Sequence, residues 1–210
     1  MNGKLLFNSL RGFKESISVE EFQKLTKIPN HNLDELLCYL KQNGIGYFSE
    51  DHIEFSISDK VKTAVLAISL GITMEECSRL LNWRDFEFFV YEILKNFGYK
   101  AKINLHLTKP HLQIDVIGEK QDFALLIDCK HWKYDNISSL NVYAKKQKIR
   151  TNFFLKKNRK ILFGIPVIVT LHSKIKNAEG VHVVSIDKFR SFLNEFDFLD
   201  YGYRIYRENP

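Results

Sequence analysis

The sequence predicts an α/β protein in two parts, a small and mainly helical module over residues 1–81 and a larger α/β domain over residues 82–210. Three observations carry this. In the first eighty positions apolar residues recur at helical spacing between helix-capping residues. From Lys100 onward, alternating and continuous β-branched runs exchange with helical stretches, as a mixed central sheet flanked by helices requires. The charge balance also changes sign: residues 1–82 hold 9 Lys/Arg against 11 Asp/Glu, and residues 83–210 hold 22 against 14. The positive field belongs to the second part, which points to a polyanion as its partner.

Within the first part, Ser18 and Glu21 form a capping-box pattern that opens a helix through Leu25, and Ile28-Pro29-Asn30 breaks it. A second helix follows from about Asn32 to Gln42, with Leu33, Leu36, Leu37 and Leu40 on one stripe. Ile45-Gly46-Tyr47-Phe48 and His52-Ile53-Glu54-Phe55-Ser56-Ile57, joined through Ser49-Glu50-Asp51, read as a small hairpin. Helix, turn, helix and hairpin resemble a winged helix-turn-helix module, which implies DNA contact through the second helix. That helix carries Asp34 and Glu35 near its start and Lys41 alone as a cation, so protein docking is an equal reading. Asp59 to Leu81 reads as further helix, broken at Gly71 and recapped by Thr73.

The second part opens with Asn82 as the N-cap of a helix whose wide apolar face includes Phe86, Phe89, Val90, Ile93 and Phe97, ending at Gly98. Lys100 to Leu107 is a strand. Leu112 to Ile117 and Phe123 to Lys130 form an antiparallel pair joined by the polar turn Glu119–Asp122. A basic helix runs from Ile137 to about Leu155. Ile165–Thr170 and Val181–Ile186 are two further strands, and Asp187 caps a last helix through Phe196. The tail after it, rich in Tyr and Phe, suits an edge strand or a homodimer contact.

The chemistry is concentrated in the antiparallel pair. Asp115 and Asp128 are embedded among apolar residues, where a carboxylate is costly unless something pairs with it. Two carboxylates at one end of a hairpin share that burden by holding a divalent cation. Lys130, two residues beyond Asp128, projects from the same strand face. Two acids and a lysine supply what metal-assisted phosphodiester cleavage needs: the acids for Mg²⁺ or Mn²⁺, the lysine for water and phosphate charge. Cys129 points away from the pair, but its backbone carbonyl is available as a metal ligand. Strand-end acids with a solvated lysine would produce the same short pattern.

These residues resemble the D…(D/E)-x-K signature of the PD-(D/E)XK nucleases. The run Ile127-Asp128-Cys129-Lys130-His131-Trp132 is most similar to the Mrr-type restriction endonuclease branch, and the spacing to archaeal Holliday-junction resolvases. The proline that usually precedes the first acid is absent; Gln113-Ile114 stand there. The resemblance spans about residues 83–195 and implies a restriction-endonuclease-like core. It also implies a fourth site residue: Phe86-Glu87 matches the motif that brings a helical glutamate to the metal. Glu92 is the lesser candidate, and an ordinary role for Glu87 is to stabilise the helix start through the macrodipole. Tyr143 and Gln147 resemble an accessory pair of RecB-like nucleases.

The basic helix and its continuation carry eight cations between Lys145 and Lys160 and no acid. Lys145, Lys146, Lys148, Arg150, Lys156 and Lys157 are the candidate phosphate contacts; a solvated face is the plain alternative. No apolar run approaches a membrane span, and no Gly-rich phosphate loop indicates a nucleotide cofactor. Cys38, Cys77 and Cys129 are scattered and odd in number, which fits reduced thiols and a cytoplasmic setting. The resulting expectation is a Mg²⁺-dependent DNA endonuclease of restriction, repair or recombination. The alternative is a non-cleaving DNA-binding or regulatory protein that retains the nuclease fold.

Overall fold

A computed structural model describes residues 1–50, 52–132 and 136–195. The chain forms two compact units, Met1–Phe88 and Phe89–Pro210.

In the first unit, α1 (Gly3–Ser9) and a single 3₁₀ turn at Leu10–Gly12 precede β1 (Ile17–Ser18). Then come α2 (Val19–Thr26), α3 (Asn30–Gln42), β2 (Tyr47–Phe48), β3 (His52–Glu54), α4 (Ile57–Ser69) and α5 (Met74–Arg79). The expected order of helix, helix and hairpin is present. The sequence had not suggested β1, which pairs with β3 and widens the hairpin into a three-stranded sheet of order β1-β3-β2. Ser18 caps α2 by accepting the Glu21 N–H, as its position predicts. Only half of that capping box closes on Ser18, because the Glu21 carboxylate meets Lys14 at 2.6 Å. Thr73 and Glu76 close theirs completely at the start of α5. The core of this unit gathers Leu6, Phe22, Leu36, Leu40, Ile53 and Ala64.

Helix α6 (Trp83–Asn96) begins in the first unit and ends in the second. Asn82 caps it: its Oδ1 accepts the Asp85 N–H at 2.9 Å, and its own N–H donates to Asp85 Oδ2 at 2.9 Å. The buried Asp85 carboxylate is neutralised by Lys60 at 2.7 Å.

Beyond Gly98, whose φ of +78° ends α6 as a left-handed cap, the second unit is built on a mixed six-stranded sheet. Its strands are β4 (Lys100–Leu107), β5 (Leu112–Lys120), β6 (Phe123–Lys130), β7 (Phe163–Thr170), β8 (Asn177–Ala178) and β9 (Val181–Ser185), in the order β4-β5-β6-β7-β9-β8. β4, β5 and β6 are antiparallel neighbours, whereas β6, β7 and β9 run parallel. The α/β class predicted for this part, a mixed sheet flanked by helices, is therefore observed. Between β6 and β7 the chain makes the long crossover α7 (Ile137–Lys157), and α8 (Ile186–Glu195) follows β9. Asp187 lies inside the first turn of α8 instead of capping it, because the helix begins at Ile186, two residues earlier than expected. Phe196 and the tail fall outside the described residues.

Helix α7 packs on the sheet through two apolar clusters. Leu140 and Ala144 meet Ile168, Ala178 and Val183 near its start, and Phe154 and Leu155 meet Ile114, Ile117 and Leu126 near its end. Gly164 of β7 allows the close approach between them: a Cβ there would stand 2.8 Å from Thr151 and 3.1 Å from Leu155. The parallel pairing of β6 with β7 and the seating of α7 together aim the middle of that helix at the C-terminal end of β6.

Candidate active site

The β5–β6 pairing closes at Val116 opposite Ile127, and Asp115 and Asp128 are the next residues beyond that point. From there the ladder continues through a side chain: Asp115 Oδ2 accepts the Cys129 N–H at 2.8 Å. The neighbouring strand has a local irregularity at the same level. Asn104 of β4 has a φ of +52° and its Oδ1 accepts from Gln113 at 2.9 Å.

Asp128 is almost fully buried and lies between two cations. Its Oδ1 accepts from Arg150 of α7 at 2.7 Å, and Lys130 Nζ stands 2.6 Å from Oδ2. The ammonium approaches outside hydrogen-bond geometry, so Oδ2 has an ionic neighbour and no hydrogen bond. Lys130 rests over the Tyr143 ring, with Nζ 4.2 Å from its centroid, and Trp132 meets the same ring edge-on at 5.4 Å.

Gln147 ties the helix to the sheet. It is fully buried, donates from Nε2 to the Leu126 carbonyl at 2.7 Å, and accepts from Arg150 at 3.0 Å. A path of hydrogen bonds thus runs from the β6 backbone through Gln147 and Arg150 to Asp128. Sequence reasoning treated Arg150 as one of a run of phosphate contacts and missed that it grips an acid. A signal was present: Leu140, Ala144, Gln147, Thr151 and Phe154 form the buried stripe of α7, and a glutamine in such a stripe requires partners.

Burial pushes the Asp115 carboxyl above its ordinary range, and the Asp128 charge adds to the push. The Cys129 N–H, Lys130 and Arg150 pull the other way without cancelling it. Two adjacent acids in a poorly solvated place, one with a buried oxygen that receives no hydrogen bond, fit a hard divalent cation by donor type. Asp115 and Asp128 are the side chains that would hold it. Among the described residues, no three His, Cys, Asp or Glu side chains gather as a metal cage. Glu87 is buried near the start of α6, on the first unit's side of the division.

Comparison with known proteins returned no matching family model and no matching curated protein. Solved structures of low identity do align with it. A protein of unknown function, AF1548, is 20% identical over 50% of this chain and 58% of its own, with a TM-score of 0.40. VC1899 from Vibrio cholerae is 14% identical over 91% of this chain and 49% of its own, at 0.41. The small subunit R.BspD6I2 of the heterodimeric restriction endonuclease R.BspD6I is 17% identical over 65% and 76%, at 0.38. This chain therefore spans less than two thirds of the first two of these proteins.

The remaining candidate residues are spread along α7. Lys145 is exposed and meets Glu179 at 3.5 Å, while Lys146 is exposed with Nζ 5.4 Å from the Tyr143 ring. Lys148 is half-buried. Lys156 and Lys157 are exposed in the last turn, and Lys157 Nζ donates to the Thr108 carbonyl. Among the described residues, no helix is long and apolar enough to cross a membrane.

Proposed function

We propose that this protein is a divalent-metal-dependent DNA endonuclease, with Asp115, Asp128 and Lys130 at its centre. The observation that carries the reading is the meeting of these three groups where β5 and β6 part. Asp115 and Asp128 would hold Mg²⁺ or Mn²⁺, joined by the Cys129 backbone carbonyl. The bound cation supplies Lewis acidity toward a phosphoryl oxygen and a water of lowered pKa. Lys130, already held between Asp128 and the Tyr143 ring, orients that water and offsets charge on the phosphate. Lys145, Lys146, Lys148, Lys156 and Lys157 attract the DNA backbone, and the chain works in the cytoplasm.

A second reading is a DNA-binding protein that keeps a nuclease-like core without cleaving. It draws on Asp128 having a cation at each oxygen. Incubation with supercoiled, branched and single-stranded DNA in Mg²⁺, Mn²⁺ or EDTA separates the two. Metal-dependent nicking, lost in Asp128→Asn, supports the enzyme. Salt-sensitive binding without nicking in either metal supports the second reading.

A further inference from the structure

Among the described residues, the charges at the end of β6 already balance. Asp115 and Asp128 face Lys130 and Arg150, two acids against two cations. Asp128 is buried and Asp115 half-buried, and the Lys130 and Arg150 side chains are only 14% and 18% exposed. A divalent cation added to this neutral group leaves a double positive charge in poorly solvated surroundings, which is unfavourable. A phosphodiester arriving at the same place halves that excess with its own negative charge.

The two cations are not equivalent. Lys130 is two residues from Asp128 on a sheet strand and is stacked on Tyr143. Arg150 reaches across from another element on a long side chain, and the nitrogen that bonds Asp128 also has the Gln147 oxygen 3.0 Å away. Gln147 is anchored to the Leu126 carbonyl and gives Arg150 a second acceptor besides Asp128. A guanidinium also matches phosphate oxygens in two-point geometry.

We propose that Arg150 is an exchangeable counter-ion of Asp128 that couples cation loading to arrival of the polyanion. It rests on the metal-site reading above. With no DNA present, Arg150 holds Oδ1 and keeps cation affinity low. When a DNA phosphate arrives, Arg150 leaves Oδ1 for a phosphate oxygen, and Asp128 turns fully to the cation. By linkage the effect is mutual: each partner tightens the binding of the other by the same factor.

The test is Mn²⁺ titration of the whole protein, followed by the electron paramagnetic resonance of free Mn²⁺, with and without a short phosphorothioate DNA duplex. Wild type is expected to bind Mn²⁺ about tenfold more tightly with the duplex, within the usual range of coupling between sites. Arg150→Gln should bind Mn²⁺ about tenfold more tightly without DNA and gain little from the duplex. Arg150→Lys, which keeps the charge, should return to the weak wild-type affinity. The proposal falls if wild-type affinity ignores the duplex, if Arg150→Gln binds Mn²⁺ no better than wild type, or if the lysine fails to restore weak binding. The wild-type arm holds whether or not the glutamine variant folds. If wild type binds no Mn²⁺ in either condition and Asp128→Asn is indistinguishable from it, the metal-site reading itself is wrong. Should Asp128→Asn lose binding while Arg150→Gln changes nothing, only the role of Arg150 is lost.

Discussion

Asp115 accepts the backbone N–H of Cys129 at 2.8 Å, one residue beyond the last pair of the β5–β6 ladder. This bond seals the parted strands, but it does not offset the burial of the acid and its closeness to Asp128, which together raise its pKa. The native state therefore holds the Asp115 proton more tightly than the unfolded chain does. The stability it contributes is full below the ordinary value of 3.8 and is lost as pH rises through the raised native value. Asp115→Asn can keep the bond to Cys129 and removes the charge. In EDTA, it should melt above wild type at neutral pH, with the difference closing as pH falls toward 3.8. A melting difference independent of pH would show that Asp115 is not strained by its ionisation.

Asp128 answers differently, because Arg150 and Lys130 depend on it. Replacing it by Ala leaves two partly buried cations without their acid, and we expect a loss of about 1–3 kcal/mol, reduced by solvent from the full cost of breaking a buried pair. Asp128→Asn keeps the shape and is the better probe of chemistry. Cleavage in Mg²⁺ should vanish in Asp128→Asn, while Lys130→Ala should lose turnover and still bind Mn²⁺. Parental cutting rates in Asp128→Asn would place the site elsewhere.

The hairpin, its two acids and the alternation of strands and helices were legible because each rests on a local signal of turn, period or cap. What escaped was non-local. Arg150 lies 22 residues from Asp128, and only the parallel return of β7 beside β6 seats α7 so that the two meet. β1 escaped for a related reason: two residues carry no periodicity, and only β3 makes them a strand.

The seat of α7 also makes a prediction about stability. A Cβ at position 164 would meet Thr151 and Leu155, on the buried side of the helix, at 2.8 and 3.1 Å. Gly164→Ala should cost about 1–3 kcal/mol by overpacking, read as a lower urea midpoint. A midpoint equal to wild type would mean that α7 can lift from β7 freely.

Salt dependence tests the basic face of α7. Because Arg150 is engaged with Asp128, the lysines are the cleaner set. Changing Lys145, Lys146 and Lys148 together to Gln should weaken DNA binding for every sequence tried. The slope of log K against log salt should shrink by up to about 0.9 for each phosphate that is no longer neutralised. An unchanged slope would identify these lysines as a solvated face.

The last prediction divides the labour between the two parts of the chain. Residues 1–82 carry 9 Lys/Arg against 11 Asp/Glu, so they offer a polyanion no long-range attraction, whereas residues 83–210 carry 22 against 14. The helix α3 brings Asp34 and Glu35 to its first half and has Lys41 as its one cation, a poor equipment for phosphates or guanine edges. A fragment from Asn82 onward keeps α6 whole, with the reciprocal Asn82 and Asp85 bonds that start it. Its Asp85 loses Lys60, so Asp85→Asn is a useful second version of the fragment. We expect this fragment to bind DNA with most of the salt dependence of the full chain, while residues 1–81 alone bind none. Fluorescence anisotropy on a labelled duplex measures both, after circular dichroism confirms folding. A folded second part without affinity for DNA, beside a first part that binds it, would move the DNA contact to α3 and the hairpin.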